Sequence, residues 1–248
     1  MFNENVYSSI YSFLSIHYDE FTQNVDYLRY AEFLNEKLKN TSGKLILDAG
    51  CGTANISMLL KEYGYELICV DASEEMLSIA DSKSGGGLLL LNQNLEDLDL
   101  YGTVNAAIST LDTLNHLDSK SLDKFLARLS LFIEPNGVFI FDLNTEYKHN
   151  KILGDNIFVL ESENTIILWQ NQLLESCDIE IKMDIFSRQP NSLYSRKRGV
   201  LKEYYHSAEN IGLFLSKHGF KIIEFLDGDS FENLTETSER VIIISEKI

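Results

Sequence analysis

At 248 residues, the chain is long enough for one domain with a sizeable core and an inserted segment. Its hydrophobic fraction of 44% is ordinary for a globular protein, and no stretch is long and apolar enough to span a bilayer. The formal net charge of -17 argues against a nucleic-acid partner, because most of the surface would repel a polyanion.

From residue 24 to residue 143, the chain alternates between predicted helices and short apolar strands. Helices are predicted over 24–40 with Asn24 as N-cap, over 56–62, after an N-cap at Ser73, and over 122–133. Strands are predicted over 44–48, 66–71, 88–91, 104–109 and 138–143. Strands that are apolar on both sides and alternate with helices indicate a parallel sheet covered on both faces.

After residue 150 the alternation stops. Strand-like runs over 165–170, 178–186 and 192–205 follow one another without helices, which predicts an antiparallel insertion. A helix over 207–218 ends at Gly219, and two last strands, 221–226 and 240–245, are predicted to pair antiparallel at the sheet edge.

The predicted fold class is therefore α/β: a Rossmann-like, seven-stranded, mostly parallel sheet with helices on both faces and an inserted antiparallel β cap. We expect residues 1–150 and 206–248 to form the core with its N-terminal helices. Residues 151–205 would form the cap over a substrate site.

A glycine loop joins the first strand to the next helix. Gly50 permits a tight turn and Gly52 lets a ligand approach the backbone, at the sheet edge where open α/β folds bind ligands. An ordinary turn is the alternative. Asn55 occupies the place of the third glycine of a dinucleotide site, which disfavours NAD or FAD, and no P-loop lysine follows. Asp71, which ends the second strand, stands where an acid would bind ribose hydroxyls.

These residues carry a resemblance to a known family. Asp48-x-Gly50-x-Gly52, followed by Val70-Asp71-Ala-Ser-Glu-Glu-Met76-Leu, resembles the first two motifs of class I S-adenosylmethionine-dependent methyltransferases, over residues 44–143. The segment from Tyr11 to Tyr27 and the run Arg198-x-x-x-x-Glu203-Tyr204-Tyr205 resemble small-molecule members that include sugar-amine N-methyltransferases.

The resemblance implies S-adenosylmethionine as cofactor and assigns its contacts by position. The methionine part would face Asp48, Gly50, Cys51 and Gly52, and Tyr18 would close over it. Ribose would contact Asp71, while adenine would contact Ala72, Met76, Asn94 and Leu95. Ser109 and Thr110 would lie beneath the reactive methyl group. Ala54 stands where many relatives carry glycine.

The proposed general base is His116, because the segment after the fourth strand borders the methyl group in relatives and an imidazole titrates near neutral pH. The alternative is a structural or surface histidine. Tyr18 is a second catalytic candidate, and Tyr205 a weaker one. Trp169 would line the substrate pocket or pack within the cap. The basic run 196–198 is interpreted as a solvated strand edge, with contact to an anionic substrate as the alternative.

The sequence thus predicts an enzyme that transfers a methyl group to a nitrogen or oxygen atom of a small molecule. The alternatives are a non-catalytic S-adenosylmethionine or nucleoside binder whose cap is an interaction surface, and a nicotinamide-dependent oxidoreductase. We expect a monomer or homodimer with no nucleic-acid or membrane partner.

No metal is expected, since Asp142 and Asn144 alone would bind one weakly. The three cysteines, Cys51, Cys69 and Cys177, do not have the spacing of metal ligands and are interpreted as free thiols. No secretory signal is recognisable, so the predicted location is cytoplasmic.

Overall fold

The computed structural model describes the backbone of residues 5–248 and the side chains of Ile10 and of residues 14–248. The helices in this part of the chain are α1 (Asn5–Phe21), α2 (Tyr27–Leu38), α3 (Asn55–Glu62), α4 (Glu74–Ser84), α5 (Ser119–Phe132) and α6 (Ala208–Lys217). The strands of the larger sheet are β1 (Leu45–Ala49), β2 (Glu66–Asp71), β3 (Leu89–Asn92), β4 (Val104–Ser109), β5 (Ile133–Asn144), β10 (Phe220–Asp227) and β11 (Arg240–Lys247). The smaller sheet contains β6 (Ile157–Glu161), β7 (Thr165–Leu173), β8 (Ile179–Arg188) and β9 (Tyr194–Glu203).

The larger sheet has the order β10-β11-β5-β4-β1-β2-β3. Strands β1 to β5 are parallel, and β11 lies antiparallel between β5 and β10. The predicted seven-stranded, mostly parallel sheet is confirmed. The chain reverses direction across the sheet between β1 and β4, the point at which open α/β sheets bind ligands beyond the carboxyl ends of their strands.

Helices bury the apolar strands on both sides of this sheet. Leu34 and Leu38 of α2 and Leu60 of α3 pack on one face. The other face holds a cluster with side chains from α5 and α6, among them Phe125 and Leu215. Both faces are therefore closed, which leaves the loops at the strand ends as the places where a ligand can reach the core.

The smaller sheet is antiparallel in the order β6-β7-β8-β9, as expected for the inserted cap. Its apolar side packs against α1, where Ile10 is fully buried among Ile181, Met183 and Leu201. At Gly199 a Cβ atom would lie 2.5 Å from Ile10 Cβ, so the approach of helix to sheet depends on that glycine. Helix α1 therefore lies across the space between cap and core.

Several sequence predictions are corrected at the element ends. The helix predicted from Asn24 begins at Tyr27, because Asp26 caps it by accepting a hydrogen bond from Arg29 N at 3.0 Å. Helix α5 begins three residues early, behind an Asp118 cap, and β5 starts directly after it. The Ser73 cap of α4 is confirmed, since its hydroxyl accepts from Met76 N at 3.2 Å. No helix in the described part of the chain is long and apolar enough to cross a membrane.

Candidate active site

The loop between β1 and α3 is held in a left-handed conformation at three residues. Gly50 and Gly52 have φ of +80° and +54°, and Ala54, at +60°, provides the N-cap position of α3. A Cβ at Gly50 would lie 2.1 Å from Thr113 Cγ2, whereas one at Gly52 would meet nothing within 4 Å. Gly50 is therefore needed for packing, while Gly52 leaves its surface open to a ligand.

Asp71 lies directly against this loop. Its carboxylate accepts hydrogen bonds from Gly52 N and Ser73 N, each at 2.8 Å. Burial raises the pKa of Asp71, and the backbone donors oppose that shift. The loop and the acid at the end of β2, predicted from the sequence to converge, therefore form one wall.

A cavity of about 570 Å³ opens at this wall and extends to the cap. Most of the predicted site residues line it: Tyr18, Gly50, Gly52, Asp71, Ala72, Met76, Asn94, Leu95 and His116. Asp48, Cys51 and Thr110 line a second hollow of about 40 Å³, which shares Tyr18 and both glycines with the first. Ser109 lines neither; its buried hydroxyl donates to Ala49 O at 2.7 Å and so joins β4 to β1.

The end of α1 is fastened to the glycine loop by Asp19. One of its carboxylate oxygens accepts from Thr53 Oγ1 at 2.6 Å and from Asn55 Nδ2 at 3.0 Å, and the other lies 2.7 Å from Lys83 Nζ. The preceding residue, Tyr18, is held over both hollows. Burial, together with the negative charges of Asp112 and Asp71, raises the pKa of Tyr18, so its hydroxyl stays protonated at neutral pH.

Three kinds of similarity to known proteins point to the same family. Residues 46–137 match the methyltransferase domain family. A protein of Geobacillus sp. (strain WCH70) named as a methyltransferase is 26% identical over 93% of this chain and 96% of its own. The crystal structure of an S-adenosylmethionine-dependent methyltransferase from Clostridium acetobutylicum ATCC 824 has a TM-score of 0.85 and 27% identity, covering 96% of this chain and 99% of that one.

The chain is a class I S-adenosylmethionine-dependent methyltransferase. Its cofactor is S-adenosylmethionine, and the non-catalytic binder and the nicotinamide-dependent oxidoreductase considered from the sequence are set aside. The fold is also that of the sugar N-methyltransferase KedS8 from Streptoalloteichus sp. ATCC 53650, with a TM-score of 0.74 and 16% identity over 93% of this chain and 92% of that one.

One buried carboxylate oxygen of the methyltransferase has no hydrogen-bond partner among the described residues. Asp48 accepts from Ser57 Oγ at 2.6 Å through Oδ2, but its Oδ1 is buried without a hydrogen-bond partner among the described residues. Burial raises the pKa of Asp48 to about 7, with Ser57 opposing the shift. A buried carboxylate oxygen with no donor is energetically costly, and a cation placed near it would remove that cost.

The sequence missed a charged cluster of the methyltransferase that lines the same cavity. Arg240 donates to both carboxylate oxygens of Asp112, at 2.8 and 2.9 Å, and Lys148 lies 3.6 Å from it. Burial disfavours the ionised form of Asp112, but the charges of Arg240 and Lys148 outweigh it and lower its pKa to about 2. The available signal in the sequence was Arg240 alone, a charged residue directly before the apolar run 241–244.

From the sequence, Asp142 was considered as one ligand of a weak metal site. In the structure, it supports the charged cluster. It is fully buried and accepts from Leu111 N at 2.7 Å, Asp112 N at 2.8 Å and Tyr30 Oη at 2.6 Å. It thus holds the loop that follows β4. Within the described residues of the methyltransferase, no three His, Cys, Asp or Glu side chains are grouped so that they could hold a metal ion.

The cap contributes the remaining wall of the cavity. Trp169, Met183 and Leu201 supply apolar surface, and Glu203 supplies a carboxylate. His116 lies between core and cap, with Nδ1 3.4 Å from the carbonyl oxygen of Lys202. The basic run 196–198 lines no part of this cavity; Arg196 and Arg198 pair instead with Asp184, on β8 beside the edge strand β9.

Proposed function

We propose that this methyltransferase transfers a methyl group from S-adenosylmethionine to a nitrogen or oxygen atom of a small molecule held between core and cap. The observation that carries the proposal is one continuous cavity, lined at one end by Asp71 and Met76 and at the other by Trp169 and Leu201. Its volume of about 570 Å³ lies in the range of small-molecule sites. We also propose that residues 151–205 act as the substrate-binding cap.

The residues of the core end fit the cofactor. Asp71 would accept from the ribose hydroxyls, while Ala72, Met76, Asn94 and Leu95 would contact adenine. The backbone of Gly50, Cys51 and Gly52 would face the methionine part, and the unpartnered Oδ1 of Asp48 supports an ammonium there. Thr110 and Tyr18 would close the methionine end. Ser109 is better explained as a support for the strands.

The bound cofactor supplies an activated methyl group, so the protein's task is alignment, exclusion of water and removal of a proton from the acceptor. We assign the proton acceptor to His116. Donation from Nδ1 to the Lys202 carbonyl would place the lone pair of the neutral ring on Nε2. Tyr18, whose pKa is raised, would orient the reactants and not act as a base.

The proposed cellular setting follows from charge and cysteine content. A net charge of -17 disfavours nucleic-acid acceptors, and Cys51, Cys69 and Cys177 are free thiols, as expected in a reducing compartment. We therefore propose a cytoplasmic enzyme acting on a metabolite, as a monomer or homodimer.

The test is methyl transfer from labelled S-adenosylmethionine to a small-molecule extract. We expect label in low-mass products together with S-adenosylhomocysteine. His116→Ala should lower kcat by about 100-fold or more, the usual contribution of a general base, with unchanged affinity for the cofactor in calorimetry.

Label confined to macromolecules, or no turnover with any fraction, would contradict the proposed acceptor class. Wild-type kcat in His116→Ala would remove that residue from catalysis without affecting the acceptor proposal.

A further inference from the structure

The cap end of the cavity holds one buried carboxylate, that of Glu203. This residue ends β9, is only 5% exposed and lines the cavity. Its Oε2 accepts from Asn144 Nδ2 at 3.0 Å, a neutral donor. No described lysine, arginine or histidine forms an ion pair with it, although buried carboxylates usually have a charged or multiple hydrogen-bonding partner.

The other acidic residues of the cavity are already compensated. Asp112 is paired with Arg240, Glu96 lies 3.7 Å from Lys124, and Asp71 receives two backbone N–H groups. Even the Asn144 amide next to Glu203 is engaged on its other side, where its oxygen accepts from Lys148 Nζ at 2.8 Å. His149 is close enough for the charge of Glu203 to favour its protonation, but burial, the larger effect, lowers the pKa of His149 below its ordinary value. That ring is therefore neutral at neutral pH, and no ion-pair partner balances Glu203 among the described residues that line the cavity.

The surroundings of Glu203 suit an organic cation. Trp169, Met183 and Leu201 line the same cavity as Glu203. An indole face attracts an ammonium group, and an apolar wall strengthens its attraction to a carboxylate by excluding water. A neutral alcohol would gain neither contribution and would leave the carboxylate buried without a counter-charge.

We propose that Glu203 makes the methyltransferase select an amine acceptor, which it binds as the ammonium ion. This proposal rests on the proposed function and narrows its acceptor to nitrogen. Glu203 would be the residue that determines specificity, and Trp169 would face the same ammonium group.

The chemistry requires the bound ammonium to lose one proton before it reacts. His116 stands beside Glu203, since its Nδ1 contacts the carbonyl of the preceding residue, Lys202, and its ring can take that proton. The nitrogen lone pair then forms a bond to the methyl carbon, and the electron pair of the broken carbon–sulfur bond stays on sulfur. The products are an N-methylated ammonium ion, S-adenosylhomocysteine and the one proton that His116 passes to solvent.

The test uses Trp169, which is the only tryptophan in the chain and lies at the proposed site, as a fluorescent reporter. Cyclohexylammonium and cyclohexanol are titrated at neutral pH into enzyme saturated with S-adenosylhomocysteine. We expect the ammonium to bind at least about 10-fold more tightly than the alcohol, the usual effect of a hydrogen bond to a charged group. Glu203→Gln should lose that preference, whereas Glu203→Asp should retain part of it.

The matched control is Glu161→Gln, which removes the same charge from an exposed position of the cap sheet. It should keep the wild-type preference, and unchanged S-adenosylhomocysteine affinity would establish that each variant is folded. Equal binding of the two probes, binding of neither, or a preference that survives in Glu203→Gln would overturn the proposal.

The two proposals can fail separately. Methylation of oxygen in the metabolite extract would refute amine selection and leave the proposed function standing. Ammonium selection by Glu203 without methylation of any small molecule would refute the proposed function alone.

Discussion

At the scale of single residues, the site is built from buried carboxylates in different electrostatic settings. Asp48 has an oxygen without a described partner, Asp71 is held by backbone N–H groups, and Asp112 is ion-paired. The sequence predicted the first two because they flank a short motif. It could not predict Asp112 with Arg240, because 128 positions separate them and only the placement of β11 beside β5 brings them together.

Asp48 should make stability and cofactor affinity depend on pH in opposite ways. Its pKa is raised from 3.8 to about 7, so the folded state holds the proton more tightly than the unfolded state. Its contribution to stability is therefore complete below about pH 4 and is lost as the pH rises through 7. The loss is up to about 4 kcal/mol, since each pKa unit corresponds to about 1.4 kcal/mol. Binding of the cofactor's ammonium should strengthen over the same range.

Asp48→Asn should remove this part of the pH dependence. Denaturant unfolding without cofactor measures it: the wild-type free energy of unfolding should fall more between about pH 4 and 7 than that of the variant. Parallel pH profiles for the two proteins would show that Asp48 does not titrate as described.

The two loop glycines should respond differently to alanine. Gly52→Ala should cost only about 1–2 kcal/mol of stability, the penalty of the left-handed conformation, but should weaken S-adenosylmethionine binding because the Cβ enters the cavity. Gly50→Ala should cost more, because its Cβ would also overlap Thr113. Thermal unfolding and calorimetry measure both effects.

Gly85→Ala is the matched control for these variants. Gly85 has a similar φ of +59° and open space around its Cβ position, but lies at the far end of α4, outside the cavity. It should lose stability without losing cofactor affinity. Normal cofactor binding by Gly52→Ala would place the ligand away from the loop.

At the scale of elements, apolar strands were predictable and helix ends were less so. The buried strands of the core could be predicted from the sequence because most of their residues are apolar. The position of a helix end depends on which of several nearby polar residues forms the cap. For α2 the cap is Asp26 and not Asn24, because the Asp26 carboxylate accepts a hydrogen bond from Arg29 N. The bounds of α1 and its position over the cavity were not predictable, because the long-range contacts of Asp19 and Ile10 decide them.

Asp19 should control how firmly α1 closes the site. Asp19→Ala removes hydrogen bonds to Thr53, Asn55 and Lys83, so the end of α1 should exchange its amide hydrogens faster and cofactor binding should weaken. Hydrogen exchange of residues 14–21, with α5 as internal reference, measures the first effect. Glu20→Ala changes an exposed neighbour on the same helix and should leave both properties intact. Unaltered exchange in Asp19→Ala would show that other contacts hold the helix.

At the scale of the whole molecule, the strand order places every part of the site at one edge. The loops after β1, β2 and β4 meet there, and β11 delivers Arg240 to the same edge because it runs antiparallel. The sequence predicted this sheet and the existence of the cap. For Trp169 it left two alternatives, a wall of the substrate pocket or packing within the cap, and it did not predict that Glu203 would line the same cavity as the glycine loop. No sequence pattern fixes how two sheets are oriented.

The most direct test of that arrangement is a crystal structure of the methyltransferase with S-adenosylhomocysteine. The ribose hydroxyls should lie within hydrogen-bonding distance, about 2.5–3.0 Å, of the Asp71 carboxylate, with the sulfur atom facing the cap. A nucleoside bound away from Asp71, or a sulfur atom facing away from Trp169 and Glu203, would contradict the account.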